Sequence, residues 1–94
     1  MIRDLNFIKG ELRKITYHVK SKKNENFTIE SCDVEIFNEN VSIMKLHSDI
    51  NGNEITFIID TSLLESNYYA AIITFKINEE IIKKKMNFTV RENG

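Results

Sequence analysis

The 94-residue chain predicts an all-β fold, an antiparallel sandwich of six to seven strands, and three observations carry that prediction. Apolar residues recur at every second position between Tyr69 and Val90, on both sides of a short polar turn. A second alternating pair of segments flanks Asn51-Gly52. No segment keeps the three-to-four-residue apolar period of an amphipathic helix, and polar turn clusters separate the alternating runs.

The closing hairpin is the best specified element. Tyr69, Ala71, Ile73 and Phe75 recur at every second residue, with Tyr68, Thr74 and Lys76 falling between them, the period of a strand with one buried face. Counting outward from a turn at Asn78-Glu79 pairs Phe75 with Ile82, Ile73 with Lys84, Ala71 with Met86 and Tyr69 with Phe88. Directly opposed residues share a face, so Tyr69, Ala71, Ile73, Phe75, Ile82, Met86, Phe88 and Val90 collect on one side. Lys84 is the single misfit. Thr74, Lys76, Lys83, Lys85, Asn87 and Thr89 go to the other side. A slip of one residue would expose the whole apolar set, which pins the register.

Asn51-Gly52 predicts a type I′ turn, because both central residues of that turn need positive φ and this dipeptide accepts it. Counting outward from it pairs Ser48 with Ile55, Leu46 with Phe57 and Met44 with Ile59, assembling a second apolar face. The combined core expected from the two hairpins is Met44, Leu46, Ile55, Phe57, Ile59, Tyr69, Ala71, Ile73, Phe75, Met86, Phe88 and Val90. Earlier in the chain, residues 1–9 have no clean period and read as an arm or a first strand. Ile15, Tyr17 and Val19 alternate as a half-exposed strand, and Ser21 to Asn26 is a polar turn. Phe27 to Ile36 reads as a strand broken near Ser31-Cys32, followed by a turn at Asn38 to Asn40. The one helical feature expected is a single turn over Thr61 to Glu65, N-capped by Asp60 or Thr61. Residues 1–94 are read as one domain.

Asp60 to Tyr69 has the form of an immunoglobulin-like corner. A strand ends at Ile59, a turn carries Leu63 and Leu64 under the sandwich, and a tyrosine opens the next strand. In such corners the hydroxyl bonds to backbone a few residues upstream while the ring packs in the core. Asp60 and Tyr69 are therefore the candidate structural corner, and the architecture expected is an immunoglobulin-like sandwich without the Cys and Trp hallmarks of antibody domains.

Composition narrows function by exclusion. Thirteen Lys and Arg against fourteen Asp and Glu leave a formal net charge of -1, so no global field draws nucleic acid or an anionic membrane. A single cysteine, Cys32, has no internal partner and reads as a core or strand residue. The charged, run-free start and the lack of disulfides predict synthesis and folding in a reducing cytoplasm. His18 and His47 fall on the polar sides of their strands with no metal-ligand spacing, so no metal site is expected. Asp49, Glu54 and Glu65 form no acid-base pair by spacing, and with three glycines the chain has neither a nucleophile elbow nor a phosphate-cradling loop. No catalytic residue and no cofactor is expected. Lys83 and Lys85 share a strand face and read as edge lysines that deter strand pairing between molecules. Asn26, Asn40 and Asn87 match glycosylation acceptors, as coincidences of an Asn-rich chain.

Two apolar pairs fall outside the core faces. Ile43 and Ile58 do so in one hairpin, Ile72 and Ile81 in the other. Three covers are open: the N-terminal arm through Leu5, Phe7 and Ile8; a second copy of the chain; or a neighbouring protein. A carbohydrate-binding or adhesive module is the alternative reading, with Tyr17, Tyr68 and Asn87 as contributors.

A family resemblance extends this. Phe7-Ile8-Lys9-Gly10-Glu11, ITYHV at Ile15 to Val19, DVEIF at Asp33 to Phe37, NGNEITFIID at Asn51 to Asp60, NYYAAIITF at Asn67 to Phe75 and MNFTV at Met86 to Val90 together resemble the N-terminal domain of phage baseplate upper proteins. That resemblance implies a non-enzymatic structural or attachment domain of a phage or prophage tail or baseplate. It would be a virion component that docks to other tail proteins or to itself.

Overall fold

The computed structural model describes residues 5–20 and 27–92. Eight strands follow in order: β1 (Leu5–Ile8), β2 (Leu12–His18), β3 (Ile29–Asn38), β4 (Val41–Leu46), β5 (Ser48–Asn51), β6 (Glu54–Asp60), β7 (Asn67–Ile77) and β8 (Glu80–Arg91). One 3₁₀ turn, Thr61–Leu63, interrupts them between β6 and β7. A five-stranded sheet in the order β1-β8-β7-β3-β4 faces a three-stranded sheet in the order β2-β6-β5. The fold is thus an all-β sandwich of immunoglobulin-like build, with eight strands where six or seven were expected. It is also not wholly antiparallel. Residues 5–8, expected as arm or strand, form β1, which runs parallel to β8 from Leu5↔Phe88 to Ile8↔Arg91. The expected turn at Ser21 to Asn26 lies outside the described residues.

β7 and β8 pair in the register that alternation predicts, with Tyr69 opposite Phe88, Ala71 opposite Met86, Ile73 opposite Lys84 and Phe75 opposite Ile82. The side chains of Tyr69, Ala71, Ile73, Phe75, Met86, Phe88 and Val90 are buried. Lys84 stays exposed where β8 is an edge, because β1 pairs with β8 only from Phe88 to Arg91. β3 lies on the other side of β7 with Val34 against Ile73 and Ile36 against Ala71, and both join the core. The break expected near Ser31-Cys32 is instead a bulge between Ile29 and Ser31, and β3 continues unbroken through it.

The second hairpin corrects the sequence reading. Met44 and Leu46 do not pair with β6. They belong to β4, which pairs with β3 in the larger sheet, Ile36↔Met44 and Val34↔Leu46. The chain crosses to the other sheet at His47, and β5 then pairs with β6, Ser48↔Phe57 and Ile50↔Ile55. Alternation cannot show this crossing, because both sheets bury their inner faces and the even-numbered residues stay inward on both sides of it. The turn itself is Gly52-Asn53, one residue later than expected, between paired Asn51 and Glu54. That moves the pairing by two residues, which preserves every face. Positive φ at two adjacent turn residues occurs instead at Glu39 (49°) and Asn40 (68°), in the β3–β4 turn.

Among the described residues, sixteen buried apolar side chains fill the space between the sheets. They include ten of those expected, while Met44 and Leu46 are partly buried against the cluster. Phe7, Val19, Ile29, Val34, Ile36 and Leu64 complete the buried set. Leu64 plugs the corner, but Leu63, expected beside it, is 68% exposed. Phe7 packs against Phe88 with ring centroids 5.6 Å apart, and Tyr17 lies 6.0 Å from Phe75. Phe75 is among the most enclosed of these rings. Phe75→Ala should cost about 3–5 kcal/mol, read from urea unfolding midpoints, and a loss below about 1 kcal/mol would show that the ring does not fill the core.

Candidate functional site

One end of the sandwich is held by the corner. The Tyr69 hydroxyl donates to the Glu65 carbonyl at 2.5 Å, and its ring stacks on Phe88 with centroids 5.4 Å apart. Burial, together with the negative charge of Glu65, raises the hydroxyl's pKa and keeps it a donor. Asp60 caps the 3₁₀ turn, accepting from the Ser62 N–H at 3.1 Å and from the Ser62 hydroxyl at 2.6 Å. Both residues do what the sequence pattern assigns them. Thr61 does more than a cap. It is fully buried, its hydroxyl donates to the Glu11 carbonyl at 2.6 Å, and its oxygen accepts from the Gly10 N–H at 3.0 Å. The Thr61 N–H donates to the same Glu11 carbonyl at 3.0 Å. The joint therefore ties the β1–β2 connection to the β6–β7 corner. Gly10 at φ +104° is in a conformation that other residues rarely adopt. Beside it Glu11 accepts from the Ile8 N–H at 2.6 Å and from Arg13 at 2.9 Å, which lowers its pKa in that order of importance. The Arg13 guanidinium in turn lies 5.2 Å from the centroid of the Phe7 ring. These contacts are architectural.

The other candidate is the outer face of the larger sheet. Its centre line is β7, with Tyr68, Ala70, Ile72 and Thr74 pointing away from the core, opposite in parity to buried Tyr69, Ala71 and Ile73. On the β3 side Phe37 stands opposite Ala70, Glu35 opposite Ile72 and Asp33 opposite Thr74. On the β8 side Asn87, Lys85 and Lys83 oppose the same three residues. A bulge in β4 next to Phe37 leaves Ile43 as an extra residue, 43% exposed, beside this strip. The Asn38 side-chain amide donates to the Tyr68 carbonyl at 2.8 Å and fixes the edge of the patch. Tyr68, 73% exposed, is the most open aromatic residue on it.

The four isoleucines separate. Ile43, Ile72 and Ile81 lie on the larger sheet, with Ile81 remote from the strip, opposite Lys76 at the far end of the hairpin. Ile58 is on β6 of the smaller sheet, opposite Lys14, so it does not join Ile43 as a pair. The crossing at His47 puts them on opposite outsides of the sandwich. Residues 5–8 cover neither outer face: Phe7 is buried between the sheets, Leu5 packs partly against the core, and β1 sits at the edge of β8. Of the residues proposed for sugar contact, Tyr17 turns inward against Phe75, away from Tyr68 and Asn87. Phe37, which the residue patterns did not single out, contributes the second aromatic of the outer strip. Its signal was an apolar residue directly following inward Ile36, where alternation calls for a polar one.

His18 pairs with Glu54 and His47 with Asp49, each at 3.0 Å on the exposed surface. Among the described residues no three His, Cys, Asp or Glu side chains group to hold a metal ion, and no helix is long and apolar enough to cross a membrane. Burial, then the neighbouring Asp33 charge, pushes the half-buried Cys32 thiol up and away from the thiolate, although the Ser48 contact works the other way.

No family model matches the chain, and neither does any curated protein. Among solved structures it is similar to the endo-β-1,4-mannanase from Thermotoga petrophila, with a TM-score of 0.65 and 15% identity over 97% of this chain. It is also similar to InlP from Listeria monocytogenes, with a TM-score of 0.63 and 19% identity over 96% of this chain. The chain spans 18% of the length of the first and 26% of the second. At these identities the likeness is one of fold.

Two outcomes follow for the corner end. Tyr69→Phe removes the hydroxyl bond while keeping the ring, and should lower stability by about 1 kcal/mol in urea unfolding; no loss would remove the corner from the account. Glu11→Gln isolates the charge. Because the folded-state pKa of Glu11 is depressed, its contribution is complete above the ordinary glutamate value and disappears as pH falls through the lowered one. Unfolding midpoints of parent and variant should therefore differ at neutral pH and converge in strong acid; a constant gap would mean that ionisation of Glu11 is not coupled to folding.

Proposed function

We propose that the chain is a non-enzymatic docking domain of a phage or prophage tail or baseplate, working by contact with other virion proteins or with itself. The observation that carries this reading is the outer face of the larger sheet. Phe37, Ile43, Tyr68, Ala70 and Ile72 form one apolar strip there, and neither β1 nor the smaller sheet covers it. Single exposed apolar side chains are ordinary, whereas a contiguous strip of aromatics and aliphatics with a polar rim is how contact surfaces are built. Lys85, Asn87 and Glu35 supply that rim. The tail or baseplate setting comes from the resemblance of the segments between Phe7 and Val90 to phage baseplate upper proteins. A carbohydrate-binding role would draw on Tyr68 and Asn87 without Tyr17.

The test is incorporation. Tail particles would be purified after induction from a strain carrying the gene, and the chain measured by mass spectrometry for the parent and for an Ile43→Lys, Tyr68→Ala double variant. Both positions are exposed, so the thermal midpoint of the isolated variant should change little. The expected result is that the parent is present in particles and the variant is depleted from them. A parent missing from particles, or a variant retained at parental level, would overturn the proposal.

A further inference from the structure

The outer face of the larger sheet carries a charge pattern that is complementary to itself. Asp33 and Glu35 form a negative column on β3, while Lys83 and Lys85 form a positive column on β8. β7 runs between them, and the registers place both columns level: Glu35, Ile72 and Lys85 in one row, Asp33, Thr74 and Lys83 in the next. Neighbouring strands lie about 4.8 Å apart, so opposite charges in a row stand roughly 10 Å from each other across β7. The close contacts between oppositely ionisable side chains among the described residues are Arg13–Glu11, His18–Glu54 and His47–Asp49, and none uses these four charges. Their bonds within the chain are to hydroxyls: Lys83 donates to Thr74 Oγ1 at 3.1 Å, and Glu35 accepts from Ser42.

We propose that this face pairs with the same face of a second copy of the chain, about a twofold axis running along β7. The inference rests on the docking reading above and commits it to one partner. A rotation about that line keeps each row level and exchanges the β8 side for the β3 side. Lys85 of one copy then meets Glu35 of the other, and Lys83 meets Asp33, each pair made twice. Tyr68, Ala70, Ile72 and Thr74 meet their own copies along the axis, and Phe37 falls opposite Asn87. Stacked sheets sit about 10 Å apart, a gap that a lysine and a carboxylate side chain span together. Any axis across the strands would instead mix rows or set like columns against each other. Lys76 is the one like-charge contact on the axis. It lies at the end of the strip, where its stem lets the ammonium turn to water. Lys45 on β4, beyond Glu35, faces outside the matched columns.

β1, β8, β7, β3 and β4 carry 4, 12, 11, 10 and 6 residues, and at roughly 3.3 Å per residue and about 4.8 Å between strands the face offers about 680 Å² in projection. A standard interface takes about 800 Å² per partner, so this face suits a reversible dimer at the small end of that class. The apolar strip supplies the contact, and the charge columns set register and partner choice.

Sedimentation velocity on the full chain tests this with two variants, Lys83→Glu with Lys85→Glu, and Asp33→Lys with Glu35→Lys. The first makes both columns negative, the second makes both positive. A reversible dimer is expected for the parent, weakening as salt is raised, with Kd increased at least tenfold in each variant. An equimolar mixture of the two variants should form a heterodimer tighter than either homodimer. Dilution of labelled parent, followed by amide chemical shifts, should perturb residues 33–37, 68–74 and 83–87 together, an outcome that needs no variant to fold. A monomeric parent at the highest attainable concentration, shifts confined to another surface, or a mixture no tighter than its components would each overturn the pairing. A monomeric parent that still enters tail particles would sink self-pairing alone and leave the docking reading standing.

Discussion

Tyr69, Phe75, Met86, Phe88 and Val90 leave water together only because β7 and β8 pair in one register, and the remaining strands take their places from that shared face. β3 lines up on β7 so that Val34 and Ile36 extend the face past Ile73 and Ala71. β1 extends it on the other side by setting Phe7 against Phe88. The smaller sheet then closes over it with Ile55, Phe57 and Ile59. At roughly 25 cal/mol per Å² of apolar surface removed from water, no other interaction in a chain of this size competes with that layer. The outward positions of the same strands are thereby left free of any structural demand.

Closure of the sandwich also needs its end sealed, and there the agents are polar. Thr61, fully buried, satisfies the Gly10 N–H and the Glu11 carbonyl with one hydroxyl. Had those backbone groups been left unpaired, each would cost about 1–3 kcal/mol. The Tyr69 bond to Glu65 and the Asp60 cap shape the adjoining turn, and Leu64 fills the space beneath it. The first inter-strand connection and the corner before β7 are thus one unit, although 50 residues separate Thr61 from Glu11 in the chain.

What was legible in the sequence follows from which constraints are local. The β7–β8 register was readable because alternation and a two-residue turn fix it between them. The corner was readable because a tyrosine of the right parity opens β7. The crossing at His47 was not, since the parity of Met44, Leu46, Ser48 and Ile50 is the same whether they share one sheet or two. The parallel pairing of β1 was also hidden, because its partner Phe88 to Arg91 lies at the other end of the chain and four residues carry too little period to announce a strand. Thr61 looked like one of two equivalent caps, as its partners at Gly10 and Glu11 come from folding alone. Of the candidate site, Ile43 and Ile72 were found correctly as outward residues, while their grouping was wrong for Ile58, which the crossing carries to the opposite face.

The outer strip owes its legibility to a violation of pattern. Alternation in β7 and β3 would be served as well by serine or lysine at positions 37, 68 and 72 as by Phe37, Tyr68 and Ile72, because these side chains contribute little to the buried layer. Strand propensity favours aromatic and β-branched residues and explains part of their presence. It does not explain why the charges flanking them segregate by strand, acids on β3 and lysines on β8, since a solvated face gains nothing from that separation and mixed signs are the ordinary arrangement. Segregation about an apolar midline has a use when the face meets a surface of inverse pattern, and the face itself, turned about β7, is such a surface.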